Sequence, residues 1–175
     1  MKRYECLKII RPYVGDEDLV ITSLGGLMDE WYNLRPSDRN LPLHNLGVIT
    51  PLALGLAIAL PRRRIVCLDT DGSVFLNLGM LCTLGNQRPR NLRVFVMDNA
   101  CYECIGGYPT PSGGRSDIAA MARGAGVDNA VSVSSPAQLE EEARKAFAAD
   151  ALSYVVCRVE PGTERFPVEK RIPWD

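Results

Sequence analysis

Two short polar segments each follow an apolar run, and their residue types suit the binding of a metal ion. Asp71 lies in the segment Asp-Thr-Asp-Gly-Ser, and Asn99 lies in Asp-Asn-Ala-Cys-Tyr-Glu. A carboxylate and an amide oxygen suit Mg²⁺, which keeps few protein ligands and takes the rest from phosphates and water. Gly72 and Ser73 open a predicted helix, whose unpaired N–H groups and positive dipole end attract an anion. Together the segments predict a binding site for a diphosphate that is bridged by a metal ion.

Each segment also has an ordinary explanation. Asp-Gly-Ser is common in turns and at helix starts, and Asp-Asn often follows a strand. One shared site is favoured because Asp71 and Asn99 each follow their own apolar run, with one helix and one strand of sequence between them. That spacing allows the two strand ends to be neighbours in a parallel sheet, where ligands bind at the carboxyl edge.

The order of the predicted elements explains how the two segments meet. Helical patterns alternate with short strands that lack polar alternation, which is typical of a parallel sheet covered on both faces. We therefore predict a single domain over residues 1–175, with a doubly wound α/β fold, a mostly parallel sheet and helices on both faces. The predicted strands are Leu19–Thr22, Ile65–Leu68, Leu92–Met97, Ala130–Val133 and Tyr154–Val159. The predicted helices are Tyr4–Ile10, Leu27–Leu34, Pro51–Leu60 (apolar on nearly all sides and so buried), Ser73–Leu84, Asp117–Arg123 and Pro136–Phe147, the last with Ser135 as its N-cap.

Composition excludes several classes of protein. The chain is 46% apolar and 23% charged with a formal net charge of −1, which argues against disorder and against general nucleic-acid binding. Its longest apolar stretch, Pro51–Pro61, is shorter than the roughly 20 residues that span a bilayer, and its start does not resemble a signal peptide. The six cysteines are too sparse for a disulfide scaffold. We expect a cytoplasmic protein with reduced thiols, in which Cys67, Cys82 and Cys157 are core residues.

The two polar segments resemble the cofactor motif of thiamine-diphosphate enzymes, which is written Gly-Asp-Gly, a spacer, and Asn-Asn. Here the motif reads Thr70-Asp71-Gly72, a spacer from Ser73 to Met97, and Asp98-Asn99. Thr70 replaces the first glycine and Asp98 replaces the first asparagine. The resemblance implies thiamine diphosphate and Mg²⁺ as cofactors, with the ion held by Asp71, Asn99 and the backbone carbonyl of Cys101.

The resemblance extends beyond this motif. Leu46 occupies the position of the large apolar residue that holds thiamine in its bent conformation, and Ser23–Gly26 matches the loop that lines the diphosphate pocket. The segment 102–110 is similar to the region after the metal site in sulfopyruvate and phosphonopyruvate decarboxylases, except that Tyr108 replaces a glutamine. The cofactor-binding residues so implied are Gly25, Gly26, His44, Asn45, Leu46, Asp71, Gly72, Ser73, Asn99, Cys101 and Tyr102.

The resemblance implies an activity that this chain cannot carry out alone. The chain is similar to the diphosphate-binding β subunit of two-subunit sulfopyruvate decarboxylases. In these enzymes the catalytic glutamate belongs to a separate pyrimidine-binding domain. We therefore expect that glutamate on a partner α chain, and a small anionic 2-oxo acid as the substrate to be decarboxylated. No nucleic-acid or membrane partner is expected. Two alternatives stay open: a carboligase subunit similar to acetolactate synthase, and a non-catalytic cofactor-binding regulatory module.

Several side chains near the motif allow more than one interpretation. Arg115, in a glycine-rich loop, is a candidate to close over an anionic substrate group or belongs to a simple connector. Glu103 is a second candidate for substrate contact, or a solvated loop residue. Cys101 and Cys104 form a Cys-x-x-Cys pair, but the sequence has no second such pair to complete a zinc site. The simpler expectation is that both thiols line the pocket.

Overall fold

The fold is built on one six-stranded sheet in which all neighbouring strands run parallel. A computed structural model describes residues 1–166. The strands lie side by side in the order β2 (Asn40–Pro42), β1 (Leu19–Thr22), β3 (Ile65–Thr70), β4 (Leu92–Asp98), β8 (Ser153–Arg158) and β7 (Ala130–Val133). A separate short hairpin pairs β5 (Cys101–Tyr102) with β6 (Tyr108–Pro109).

Helices cover both faces of the sheet because its strands are apolar on both sides. In β3, Val66 and Leu68 pack into the core on one face, whereas Ile65 and Cys67 pack into the core on the other. The first face carries α1 (Arg3–Ile10), α2 (Gly26–Leu34) and α7 (Pro136–Ala148). The second carries α3 (Ile49–Ala59), α4 (Asp71–Leu76), α5 (Met80–Gln87) and α6 (Ile118–Gly124).

The order in which strands are added to the sheet reverses between β1 and β3. These strands are neighbours, yet the chain leaves β1 towards β2 on one side and leaves β3 towards β4 on the other. The loop after β1 leads to α2 on one face, and the loop after β3 leads to α4 on the opposite face. Loops that diverge in this way leave a crevice outside the carboxyl ends of the strands. Because β4 lies beside β3, the loop after β4 reaches the same place.

The structure confirms the predicted fold class and each predicted strand, with small differences at the ends. Ser135 is the N-cap of α7, where its side chain accepts a hydrogen bond from the Gln138 amide. The edge strand β2 was missed. Its three residues, Asn-Leu-Pro, are too few to show an alternating pattern, and a proline is tolerated only at a sheet edge.

The predicted single helix over Ser73–Leu84 is wrong, because the chain forms two helices there. Asn77 leaves the helical conformation after α4, with φ −145° and ψ 53°. Its Nδ2 donates a hydrogen bond to the Gly47 carbonyl oxygen at 2.9 Å. Asparagine competes with helices through such side-chain bonds, and Gly79, which precedes α5, disfavours a helix interior. The break attaches the end of α4 to the loop before α3.

The prediction that the helix over Pro51–Leu60 is buried holds for one face only. Ile49 and Ala53 of α3 are fully buried, but Leu52 and Ile58 on the opposite side are 37% and 54% exposed. The other face of α3 is therefore apolar and open to solvent. In the part of the chain that the structure describes, no helix has the length and apolar character needed to cross a membrane.

One of the three predicted core cysteines lies outside the core. Cys67 and Cys157 are fully buried, as predicted, but Cys82 is exposed. The buried stripe of α5 is formed by Leu81 and Leu84, and Cys82 lies on the other side of that helix. An apolar run alone did not distinguish the two sides of this short helix.

Candidate functional site

A cavity of about 220 Å³ opens at the carboxyl ends of β1, β3 and β4. Its walls come from the loops that follow these three strands and from the loop before α3. Arg3 near the start of the chain and Thr163 near the end of the described part also line it. The cavity brings together nine of the residues identified from sequence, namely Gly25, Gly26, Leu46, Asp71, Gly72, Asn99, Cys101, Tyr102 and Glu103.

Asp71 presents a buried carboxylate with one oxygen unsatisfied. The residue follows β3 directly and is 1% exposed. Its Oδ2 accepts hydrogen bonds from Thr110 Oγ1 at 2.6 Å and Ser112 Oγ at 3.3 Å, whereas its buried Oδ1 has no hydrogen-bond partner in the described part of the chain. Burial raises the pKa of Asp71 to about 6, and the nearby Asp98 carboxylate adds to this rise while the Thr110 hydroxyl opposes it. A buried carboxylate oxygen without a donor is costly, so Oδ1 fits a bound cation.

The negative charge of Asp98, at the end of β4, is paired with an arginine of the same chain. Its Oδ2 accepts a hydrogen bond from the Arg158 guanidinium at 2.6 Å, and the two groups form an ion pair. Its Oδ1 accepts from Ser112 Oγ at 2.7 Å and from the Ala100 amide at 3.1 Å. The single Ser112 hydroxyl hydrogen is thus shared between the carboxylates of Asp98, at the shorter distance, and Asp71. The residue that replaces the usual asparagine is thus compensated by an arginine on the neighbouring strand β8.

The amide of Asn99 is held at both ends. Its Oδ1 accepts a hydrogen bond from the Cys101 backbone amide at 3.2 Å, and its Nδ2 donates to Glu103 Oε2 at 2.9 Å. Ala100, between Asn99 and Cys101, adopts a left-handed conformation with φ 59°. This conformation is uncommon for a residue with a side chain. This tight turn leads the chain from β4 into the β5–β6 hairpin.

Gly72 has no room for a side chain. A Cβ atom at this position would lie 2.7 and 2.8 Å from two ring carbons of Tyr102, closer than non-bonded carbon atoms approach each other. The Tyr102 ring packs against the backbone at the start of α4, and both residues line the cavity. The glycine of the motif is required here by close packing between the loops after β3 and β4.

A fully buried aspartate, Asp69, ties the loop that carries Leu46 to the loop that carries Asp71. Asp69 Oδ2 accepts hydrogen bonds from Thr50 Oγ1 at 2.6 Å and from the Thr50 amide at 3.3 Å, and its Oδ1 accepts from the Thr70 amide at 2.9 Å. Burial raises the pKa of Asp69, and hydrogen bonds from Ser73 and Thr50 oppose that rise. The Ser73 Oγ in turn accepts a bond from the Gly47 amide at 3.0 Å. The residue next to Leu46 is therefore fixed through the network around Asp69.

Four predicted site residues do not line the cavity. Ser73 is buried and hydrogen-bonded to the Gly47 amide, so it supports the Leu46 loop. His44 and Asn45 precede Leu46 and are exposed. Arg115 is exposed in the loop before α6, away from the cavity lining. A substrate role for Arg115 would require that loop to change its conformation.

The two loop thiols line the cavity, as the simpler of the two expectations had it. Burial and the negative charge of Glu103 raise the pKa of Cys101, which disfavours the thiolate that metal binding or redox chemistry requires. Within residues 1–166, no three side chains from His, Cys, Asp and Glu come together as a metal-binding cluster. The side chains that line the cavity include two carboxylates, Asp71 and Glu103, and one amide, Asn99.

Sequence reasoning missed residues that lie far from the motif in the chain. Arg3 and Thr163 line the cavity, and Thr110 and Ser112 hold the Asp71 carboxylate. Thr110 and Ser112 flank a proline just after the glycine pair 106–107, and the hydroxyl pair was the available signal. Arg3 gave no signal, because nothing in the sequence around it indicates that α1 packs near the ends of β1 and β4.

Comparison with known proteins identifies relatives along most of the chain. Residues 30–157 match the family model described as thiamine pyrophosphate enzyme, C-terminal TPP binding domain. The beta subunit of sulfopyruvate decarboxylase from Methanothermobacter thermautotrophicus is 34% identical over 169 residues, which cover 96% of this chain and 87% of that subunit. The phosphonopyruvate decarboxylase of Streptomyces viridochromogenes is 31% identical over 145 residues, which cover 82% of this chain but 36% of that enzyme.

The fold is also found in solved structures. The crystal structure of benzoylformate decarboxylase from Polynucleobacter necessarius superimposes with a TM-score of 0.76 at 17% sequence identity. The match covers 93% of this chain and 34% of that enzyme, so the chain spans about a third of its length. At this level of identity the comparison establishes the fold.

Proposed function

This chain belongs to the thiamine pyrophosphate enzymes, through their C-terminal cofactor-binding domain, and on that premise we propose that it is the diphosphate-binding subunit of a 2-oxo-acid decarboxylase. Thiamine diphosphate and Mg²⁺ are its cofactors in this proposal. The substrate is a small anionic 2-oxo acid of the sulfopyruvate or phosphonopyruvate type. The names of the similar proteins, sulfopyruvate decarboxylase subunit beta and phosphonopyruvate decarboxylase, support this substrate class.

The observation that carries the proposal is the unsatisfied Oδ1 of Asp71. The oxygen is buried and has no hydrogen-bond partner within residues 1–166, although Thr110 and Ser112 satisfy the other oxygen of the same carboxylate. Asn99 and Cys101 line the same cavity, so an amide oxygen and a backbone carbonyl are available as further hard ligands. This donor set suits Mg²⁺, which takes its remaining ligands from phosphates and water.

The other cavity residues have roles that follow from their positions. Gly25, Gly26 and Gly72 would offer backbone groups to the diphosphate. At Gly25 the space that a Cβ would occupy has no atom of residues 1–166 within 4 Å. Leu46 forms an apolar part of the wall, where it would support the bent thiamine. When bound, the cofactor supplies the electron sink that stabilises the carbanion left by loss of carbon dioxide. This chain's residues bind the cofactor and orient it.

The remaining chemistry requires a second chain. A glutamate facing the pyrimidine ring of the cofactor is expected on an α subunit with a pyrimidine-binding domain. The beta-subunit name of the Methanothermobacter relative supports such a hetero-oligomer. The cofactor would lie between the two chains, with its diphosphate end on this one.

The proposal is tested with the complex of this chain and its α subunit. Calorimetric titration of thiamine diphosphate with and without Mg²⁺ should show binding that depends on the ion. Asp71→Ala should abolish this binding, because it removes a ligand of the ion. It should not unfold the complex, because a buried carboxylate without a bound cation is itself unfavourable. The control Asp128→Ala changes an exposed aspartate and should bind normally. Mg²⁺-dependent binding that persists in Asp71→Ala would count decisively against the site.

Product analysis separates decarboxylation from the alternatives. Carbon dioxide and an aldehyde, released from sulfopyruvate or phosphonopyruvate only when both chains are present, support the decarboxylase. A longer keto acid formed from two substrate molecules identifies a carboligase. Cofactor binding without turnover of any 2-oxo acid identifies a regulatory module.

A further inference from the structure

Glu103 joins the loop after β4 to two distant parts of the chain, at the wall of the cavity. Its Oε2 accepts hydrogen bonds from Asn99 Nδ2 at 2.9 Å and from Arg3 at 3.3 Å, and its Oε1 accepts from Thr163 Oγ1 at 3.1 Å. The donors come from the loop after β4, from the first residue of α1 and from the segment after β8. Both carboxylate oxygens are therefore engaged, although the side chain is 31% exposed.

Arg3 holds this carboxylate from a fixed position. The Arg3 side chain is 6% exposed, and its Nε and Nη2 donate to the two oxygens of Glu30 at 2.7 and 3.2 Å. Glu30 is fully buried and also accepts from the Glu164 amide at 2.8 Å. Although burial lowers the pKa of Arg3, its bonds to Glu30 and Glu103 raise it overall. A guanidinium paired with two carboxylates is not available to bind a substrate anion.

The same arrangement determines which way the Asn99 side chain faces. An amide can present either its oxygen or its nitrogen, whereas an ionised carboxylate only accepts hydrogen bonds. Glu103 can therefore hold only the nitrogen end of Asn99. The oxygen end is then directed away from Glu103, where it accepts one bond from the Cys101 amide and keeps a lone pair for a cation.

We propose that Glu103 is a positioning residue that turns the Asn99 amide oxygen towards the metal ion, and that Arg3 holds Glu103 in place for this task. The inference rests on the proposed function, because it assumes an ion bound by Asp71 and Asn99. It differs from the sequence-based expectation that Glu103 contacts the substrate. In metal sites, groups that orient a ligand through hydrogen bonds commonly change metal affinity by about 10- to 100-fold when removed.

Two variants of Glu103 separate the positioning role from the substrate role. Glu103→Met keeps much of the side-chain volume but removes the charged acceptor, whereas Glu103→Gln keeps one oxygen that can accept from Asn99. The matched controls are Glu141→Met and Glu141→Gln, which change a glutamate on the exposed side of α7. All are assayed as the complex with the α subunit, with Mn²⁺ as a paramagnetic probe of the ion site and thiamine diphosphate at saturation.

For Glu103→Met we expect the Mn²⁺ dissociation constant to rise about 10- to 100-fold. Its KM for the 2-oxo acid at saturating metal should stay unchanged. Glu103→Gln should recover most of the metal affinity, and both Glu141 variants should match the wild type. Thermal unfolding of each complex identifies any variant that fails to fold. If Glu103→Met fails, the Mn²⁺ affinity of Glu103→Gln is compared with that of the wild type, and retention of most of that affinity is the expected result.

Three results would overturn the inference. Wild-type Mn²⁺ affinity in Glu103→Met excludes a positioning role. A raised KM with unchanged metal affinity shows that Glu103 acts on the substrate instead. If the wild-type complex itself binds no divalent ion with thiamine diphosphate, the proposed function fails together with this inference, whereas a defect in the variants alone leaves the proposed function intact.

Discussion

At Gly72, one added Cβ atom would disturb the packing between the loops after β3 and β4. Gly72→Ala should lower the free energy of unfolding by about 1–3 kcal/mol, because the added Cβ overlaps the Tyr102 ring. It should also weaken cofactor binding, since the loops after β3 and β4 must move apart. Urea denaturation and calorimetric titration check both effects. Gly124→Ala, where a Cβ meets no atom of residues 1–166 within 4 Å, serves as the control, and equal behaviour of the two variants would contradict the packing argument.

Leu46 tests a different property of the site, the conformation of the cofactor. Leu46→Ala should retain Mg²⁺-dependent binding of thiamine diphosphate, because Leu46 offers the diphosphate and the ion no polar contact. Its kcat should fall about 100-fold, since a reacting group displaced by about 1 Å can cost that much. Leu46→Met, which preserves the bulk, should keep most of the turnover. Unchanged kcat in Leu46→Ala would refute the assigned role.

At this scale the sequence predicted the residue types of the site but few of their partners. Asp71 and Asn99 were identified because hard oxygen ligands after two apolar runs form a local pattern. The ion pair of Asp98 with Arg158, and the contact of Arg3 with Glu103, join residues far apart in the chain. No periodicity or spacing contains that information, because it depends on which strands and helices become neighbours.

Thr50 links two elements through the buried Asp69 carboxylate, so it tests how firmly α3 is attached to the end of β3. Thr50→Val keeps the shape but removes the hydroxyl that donates to Asp69 at 2.6 Å. Because the acceptor is a fully buried carboxyl group, we expect a loss of about 1.5–3 kcal/mol in the free energy of unfolding. Chemical denaturation measures it. The exposed Thr83 on α5 provides the control Thr83→Val, and a similar small loss in both would disprove the link.

Elements were predicted correctly where their own sequence pattern was clear, and incorrectly where a contact with another part of the chain prevailed. The apolar strands β3 and β4 stood out because both of their faces are buried. The break between α4 and α5 depends on the bond from Asn77 to Gly47, a residue of another loop. The exposed outer face of α3 is also apolar, with Leu52 and Ile58, so hydrophobicity could not distinguish it from the buried face.

Tyr154 provides a test of the whole core, since it lies in β8 with no exposed surface and its hydroxyl has no hydrogen-bond partner in the described residues. Tyr154→Phe should raise the free energy of unfolding by about 1 kcal/mol, because an unsatisfied buried hydroxyl is removed without changing the ring. Urea denaturation at constant pH measures the difference. The control is Tyr13→Phe, whose hydroxyl is bonded to Glu140 on the surface. A less stable Tyr154→Phe protein would indicate a buried water at that hydroxyl.

Within residues 1–166, the residues that this chain contributes to the cavity extend from Arg3 to Thr163. A gene boundary placed outside this unit therefore leaves every one of those contacts intact. Among its relatives, this unit corresponds to most of a separate subunit in one protein and to about a third of a longer polypeptide in another. A cofactor-binding domain of this kind can therefore be encoded as a separate subunit or as one part of a longer polypeptide.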